Sequence, residues 1–211
     1  MRPSVRLSHI ISESARYAAQ VGNRPVRLLL LWIAAAIPVV DIIVLGYMAR
    51  VARQTPFEAD PPRLVRPLEL FADGVVILVV LVVYLLGGVV VAAAFYLLGS
   101  IPGALVGLAL AAVGYSFVPL ACLAVLAKGE LSEAFDIPSI LRRVARIGIA
   151  RYYTWMGLGL LLMLLLGAQI LYLKVWGIWL GSLVWPLVGV FVARGTALMY
   201  AYSDLSLSGE P

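Results

Sequence analysis

From Gly74 to Ala127 the chain runs without a single Asp, Glu, Lys, Arg or His. A helix rises about 1.5 Å per residue and a bilayer core is about 30 Å thick, so one span takes about 20 residues. The run is too long for one helix and fits two, with Gly99-Ser100-Ile101-Pro102-Gly103 as the turn between them. Residues 152–203 read the same way, because only Lys174, flanked by Tyr172 and Trp176, interrupts the apolar sequence between Arg151 and Arg194. Aromatic rings favour headgroup depth and an ammonium snorkels there, so Lys174 marks a second turn.

The first apolar element, residues 28–49, has two readings. A single helix over all of it is about 33 Å long, enough to cross, which gives five spans. Folded back at Pro38, it leaves four full spans plus a short Pro-broken element. Hairpins return to the face they leave, which places segments 50–73, 128–151 and 194–211 on one side with ten of the sixteen Lys and Arg. Five more (Arg2, Arg6, Arg16, Arg24, Arg27) precede residue 28. Folding back therefore gives fifteen basic residues against one, the asymmetry of an inner face, whereas crossing gives ten against six. Pro38, Pro119 and Pro186 each lie in an apolar run that ends at a basic residue (Arg50, Lys128, Arg194), and the arms before these runs, 1–27, 50–73 and 128–151, are similar in length. The chain then reads as three units of arm plus hairpin, the first shortened, and this favours the folded-back form.

The expected fold is an all-α integral membrane protein, one membrane domain over residues 1–211. It comprises an N-terminal arm 1–27, the first membrane element 28–49, an arm 50–73, a hairpin 74–127, a basic arm 128–151, a second hairpin 152–203 and a tail 204–211. The arms read as interfacial. Leu7, Ile10, Ile11, Ser14, Ala18 and Val21 form one helical face, with Arg6, Glu13, Arg16 and Gln20 opposite. Ile140, Leu141, Val144 and Gly148 alternate with Arg142, Arg143 and Arg146 in the same manner. Between them, Pro56, Pro61, Pro62 and Pro67 hold the second arm extended.

Composition agrees with this class: 63% of residues are apolar and 13% charged, about half the charged share of an ordinary soluble domain. The N-terminal arm lacks the apolar region of a cleavable signal, so no processing is expected. The net charge of +5 lies at the edges of the apolar segments and reads as an orientation signal and anionic-lipid contact, not nucleic-acid binding. The expected setting is the cytoplasmic membrane, with the basic arms inside. Expected partners are the bilayer, anionic lipids above all, and a second copy or another membrane protein.

Candidate chemistry is sparse. Asp41 is the one ionisable residue well inside an apolar segment, shortly after Pro38. An intramembrane carboxylate costs about 2.5–3.5 kcal/mol on insertion scales, so it either binds a proton or cation or caps the backbone that Pro38 frees. Gln169, the other strongly polar residue in a span, reads as a cross-helix hydrogen-bonding group. Arg142, Arg143, Arg146 and Arg151 are the candidate anionic-lipid contacts. Gly88 with Ala92, Gly103 with Gly107 and Ala111, and Gly177 with Gly181 permit close helix packing. Cys122 is alone, His9 reads as a surface side chain, and the acidic set Glu58, Asp60, Glu69 and Asp73 matches no calcium-loop spacing. With one His and one Cys, the chain offers no catalytic residues, metal ligands or cofactor site, and no enzyme is expected.

Several segments carry a family likeness. Gly46-Tyr47-Met48-Ala49-Arg50-Val51-Ala52-Arg53 is followed by a Pro-bearing arm, then by Leu70-Phe71-Ala72-Asp73-Gly74 opening a span with Tyr84. Lys128-Gly129-Glu130-Leu131-Ser132-Glu133-Ala134-Phe135-Asp136 precedes a basic helix and Tyr152 or Tyr153, and Ala193-Arg194-Gly195 leads to Tyr200. This pattern resembles the mostly archaeal multi-pass membrane proteins grouped as domain of unknown function 4013. The resemblance implies a fold and an archaeal cytoplasmic membrane but no activity. The Pro-bearing arm is less acidic than the family pattern, so no metal role attaches to it.

Overall fold

The computed structural model describes residues 7–55 and 57–205, apart from the side chains of Ile170 and residues 203–205. Arg2, Arg6, Pro56 and most of the expected tail lie outside the described residues.

Helix α1 spans Leu7–Gly22 and buries Ile10, Ser14, Tyr17, Ala18 and Val21, a set at helical spacing. Pro25 opens α2, Pro25–Ala36, where its fixed φ costs nothing and its missing N–H would be unpaired anyway. This helix ends because Pro38 pushes the residue before it out of the α region: Ile37 is extended, at φ −114° and ψ 112°. The chain turns through Val39 and Val40 and restarts as α3, Asp41–Gln54. At 12 and 14 residues, neither helix reaches across a bilayer.

The two run antiparallel. Arg27, near the start of α2, donates to the Pro61 carbonyl at 3.1 Å, and Tyr47, in the second half of α3, donates to the adjacent Pro62 carbonyl at 3.3 Å. Both ends of the element thus meet one segment of chain. Residues 28–49 take the folded-back form, not the single crossing.

Four helices are long and apolar enough to span: α4 (Pro67–Leu97), α5 (Ile101–Lys128), α7 (Ile149–Leu173) and α8 (Val175–Leu205). The α4–α5 turn falls where Gly and Pro punctuate the sequence, and Ser100 caps α5 by accepting from the Gly103 N–H at 3.3 Å. Gly129, at φ 80°, closes α5 in the left-handed conformation that favours glycine. A short 3-10 turn, Leu131–Phe135, leads to α6, Ile137–Ile147, whose first turn is capped by Asp136. Lys174 alone separates α7 from α8.

Three boundaries differ from expectation. The second arm is shorter than 50–73, because α3 runs to Gln54 and α4 begins at Pro67, well before Gly74. Absence of charge marks an apolar stretch, whereas the helix begins where Pro67 supplies an N-terminal φ. Likewise α7 starts at Ile149 rather than at 152. Pro119 and Pro186 lie inside continuous helices and, unlike Pro38, do not break them. On the turn that Pro119 opens, the Tyr152 hydroxyl donates to the Ser116 carbonyl, an outside donor where the ladder is weakened.

Helix α8 is the shared wall of two cores. One joins Tyr17, Val21, Leu31, Val44, Tyr47, Val51, Leu70 and Val190, from α1 to α4 and α8. The other joins Leu120, Leu123, Ile140, Val144, Tyr152, Trp155, Leu198 and Met199, from α5 to α8. Both lie toward the arm face, whereas the far halves of the hairpins expose Leu, Val and Ile outward.

Candidate functional site

Two of the segments that carry the family likeness meet in space. Helix α3 crosses α4 so closely that a Cβ at Gly46 would overlap the Leu70 carbonyl and one at Gly74 would overlap the Ile42 carbonyl. Around this crossing, Arg53 pairs with Asp73 at 3.0 Å and Arg50 with Glu69 at 3.4 Å, while Arg66 reaches Glu69 at 3.0 Å. Glu69 and Asp73 therefore neutralise arginines. Among the described residues, no three His, Cys, Asp or Glu side chains converge as metal ligands would.

Asp41 sits at the tip of the α2–α3 hairpin as the first residue of α3. Its carboxylate accepts the indole N–H of Trp185 at 3.1 Å. Of the two readings of Asp41, the backbone cap is not formed: Pro38 is followed by a turn, the Asp41 backbone N–H is satisfied by Ile37 at 2.9 Å, and the carboxylate reaches across to α8. Beside it, Trp32 donates to the Trp179 carbonyl and Ser182 Oγ, both at 3.1 Å, which fastens α2 to α8. Gln169 is not brought to Asp41. It lies half-buried on α7, a helix packed mainly against α8, and its side chain makes no hydrogen bond among the described residues. The expected cross-helix bond is absent because α7 exposes much of this half to the surroundings.

The four arginines divide. Ile140, Val144 and Ile147 press α6 into the second core and leave Arg142 and Arg146 outward. Arg143 instead lies 4.2 Å over the Tyr200 ring, a cation–π contact that ties α6 to α8. Arg151 is half-buried in the first turn of α7.

The most elaborate polar cluster centres on Arg194, which the sequence marks as the end of a span and as part of a family-like segment. It is 3% exposed. Its guanidinium donates to Thr55 Oγ1 and the Glu58 carbonyl, each at 2.9 Å, pairs with Glu13 at 3.1 Å and stacks 4.5 Å over Tyr17. Burial pushes the Tyr17 phenol up to about 12, against the opposing pull of Arg194. The cluster borders a cleft of about 420 Å³ beside His9, Ser12 and Arg16. Arg194 belongs to the family-like Ala193-Arg194-Gly195, but nothing in the sequence names its partners; the signal is a basic residue inside an apolar helix, which demands a buried partner.

The fold, then, is a multi-pass bundle with its polar groups gathered at one face. No curated protein and no solved structure matches the chain. The family described as "Protein of unknown function (DUF4013)" matches residues 29–175, which include the Gly46–Gly74 crossing, the Asp41 hairpin and α6, and the chain belongs to that family.

Proposed function

We propose that this is a non-enzymatic protein of the cytoplasmic membrane that organises anionic lipids, and partner proteins with them, through its basic arm-face helices. The observation that carries this reading is α6. Ile140, Val144 and Ile147 are fixed in the core, so Arg142 and Arg146 stay outward where a headgroup layer would meet them. Each such residue near an anionic surface contributes about 1 kcal/mol. The excess of Lys and Arg on the arm face supports its placement inside the cell. In mixed phosphatidylcholine and phosphatidylglycerol bilayers, lipid adjacent to the protein is expected to be enriched in phosphatidylglycerol. Arg142→Gln with Arg146→Gln is expected to lower that enrichment; unchanged enrichment would remove the reading.

A further inference from the structure

A cleft of about 430 Å³ opens on the arm face, lined by Arg24, Arg50, Gln54, Glu58, Asp60 and Arg63 among others. Its three arginines come from three elements: the N-cap of α2, the family-like stretch of α3 and the extended segment before α4. Arg50 is held in place, donating to the Val65 carbonyl at 2.8 Å and to Glu69. Arg24 and Arg63 are exposed, and among the described residues neither side chain has a hydrogen bond or ion pair. No side chain caps the first turn of α2, so its unpaired N–H groups and positive dipole end add to the field at Arg24. On the other wall, Gln54 Oε1 is buried with no hydrogen-bond partner among the described residues, beside two carboxylates. That side suits hydroxyl or amine donors and repels a second anionic group.

What adjoins the cleft identifies the occupant. The outward face of α2 begins just after Arg24 and is apolar: Val26 is 71% exposed, Leu29 48%, Leu30 51% and Ile33 50%. These positions share one helical face, opposite buried Arg27, Leu31 and Ala34. A free phosphate has no use for such a stripe, whereas a lipid has.

We propose that this cleft binds one phospholipid, its phosphoryl group held by Arg24, Arg50 and Arg63, its headgroup donors turned to Gln54, Glu58 and Asp60, and its acyl chains laid along Val26, Leu29, Leu30 and Ile33. The proposal rests on the arm face lying at headgroup depth but not on α6. Its test is separable for that reason. Fluorescent phosphatidylglycerol is titrated into the full-length protein in a neutral detergent, comparing Arg24→Gln with Arg63→Gln against Arg142→Gln with Arg146→Gln. Losing two charge-assisted contacts is expected to weaken binding about tenfold or more in the first pair and leave the second near the unsubstituted protein. Both substituted cleft residues are exposed, so thermal unfolding is expected to stay unchanged. Equal affinity in all forms, or an equal loss in both pairs, would overturn the site. Displacement of the lipid by inorganic phosphate at comparable concentration would assign the cleft to a soluble phosphate and overturn the lipid.

Discussion

Arg194 of α8 and Glu13 of α1 form a 3.1 Å ion pair across 181 positions of sequence, and this pair seats the N-terminal arm on the bundle. Removing one partner of a buried pair leaves the other uncompensated, at a cost of about 3–5 kcal/mol when both are buried. Glu13 is 32% exposed, so Glu13→Gln is expected to cost only about 1 kcal/mol. Arg194→Met also strands Thr55, the Glu58 carbonyl and the Tyr17 ring, and is expected to cost about 3 kcal/mol. Reversible unfolding in mixed micelles measures both. Equal effects from the two substitutions would show that the other Arg194 contacts contribute nothing.

Tyr17, stacked under the same guanidinium, gives the cluster a pH signature. Its folded-state phenol titrates at about 12, above an unfolded value of about 10. The unfolded chain therefore loses its proton first, and stability falls as pH rises from about 10 toward 12. The full loss is about 2–3 kcal/mol. Tyr17→Phe is expected to flatten that part of the unfolding profile while leaving stability at pH 8 within about 1 kcal/mol. A profile equally steep without the hydroxyl would assign the alkaline loss to other groups.

The α3–α4 crossing makes the sharpest contrast among glycines. At Gly46 and Gly74 an added methyl meets a backbone carbonyl, which has no rotamer through which to yield. Each Gly→Ala change there is expected to cost about 2–3 kcal/mol, the upper range for overpacking. Gly157 sits in a helix with open space around it, so Gly157→Ala is expected to be neutral or slightly stabilising. Parallel unfolding of the three variants separates close packing from simple helix propensity.

The spans were legible because their signals are local. Lys174 and the Gly99–Gly103 run lie where the chain turns, and Pro38 breaks its element through its own steric demand on Ile37. The doubled-back form of residues 28–49 was legible through charge counting, although one helix over that whole stretch is itself long enough to cross. Long-range pairing was not legible. Asp41 announces a buried carboxylate, yet nothing near it in sequence points to Trp185, and Arg194 does not name Glu13. Gln169 shows the opposite failure, since polarity in a span implies a partner only where another helix covers it. The start of α4 was missed because Glu69 and Asp73 look like arm residues until Arg50 and Arg53 are seen to neutralise them.

Asp41 and Trp185 link the tip of the short hairpin to α8, and the chemistry of that contact separates anchoring from proton or ion handling. Asp41→Asn keeps an acceptor oxygen for the indole N–H, so an anchor is expected to lose less than about 1 kcal/mol, whereas Asp41→Ala loses about 1–2 kcal/mol. Trp185→Phe is expected to match Asp41→Ala, and the double variant to cost less than the sum. If Asp41→Asn instead leaves stability intact but abolishes a measurable proton or cation flux in proteoliposomes, the carboxylate is a transport group.

The antiparallel α2–α3 hairpin commits the molecule to a sidedness that labelling can read. Because Arg27 and Tyr47 bind neighbouring carbonyls, α1 lies on the same side as the segment between α5 and α6. In a Cys122→Ala background, Ser12→Cys and Ser132→Cys place single thiols on exposed positions of those two segments. Tyr172→Cys places one beside the Lys174 turn, where the native side chain is 88% exposed. A membrane-impermeant maleimide is expected to reach Tyr172→Cys on intact cells and the other two only after lysis. Labelling of both Ser12→Cys and Ser132→Cys on intact cells, with Tyr172→Cys protected, would keep the fold and invert its proposed orientation. Labelling of Ser12→Cys together with Tyr172→Cys, and not with Ser132→Cys, would mean that residues 28–49 cross after all.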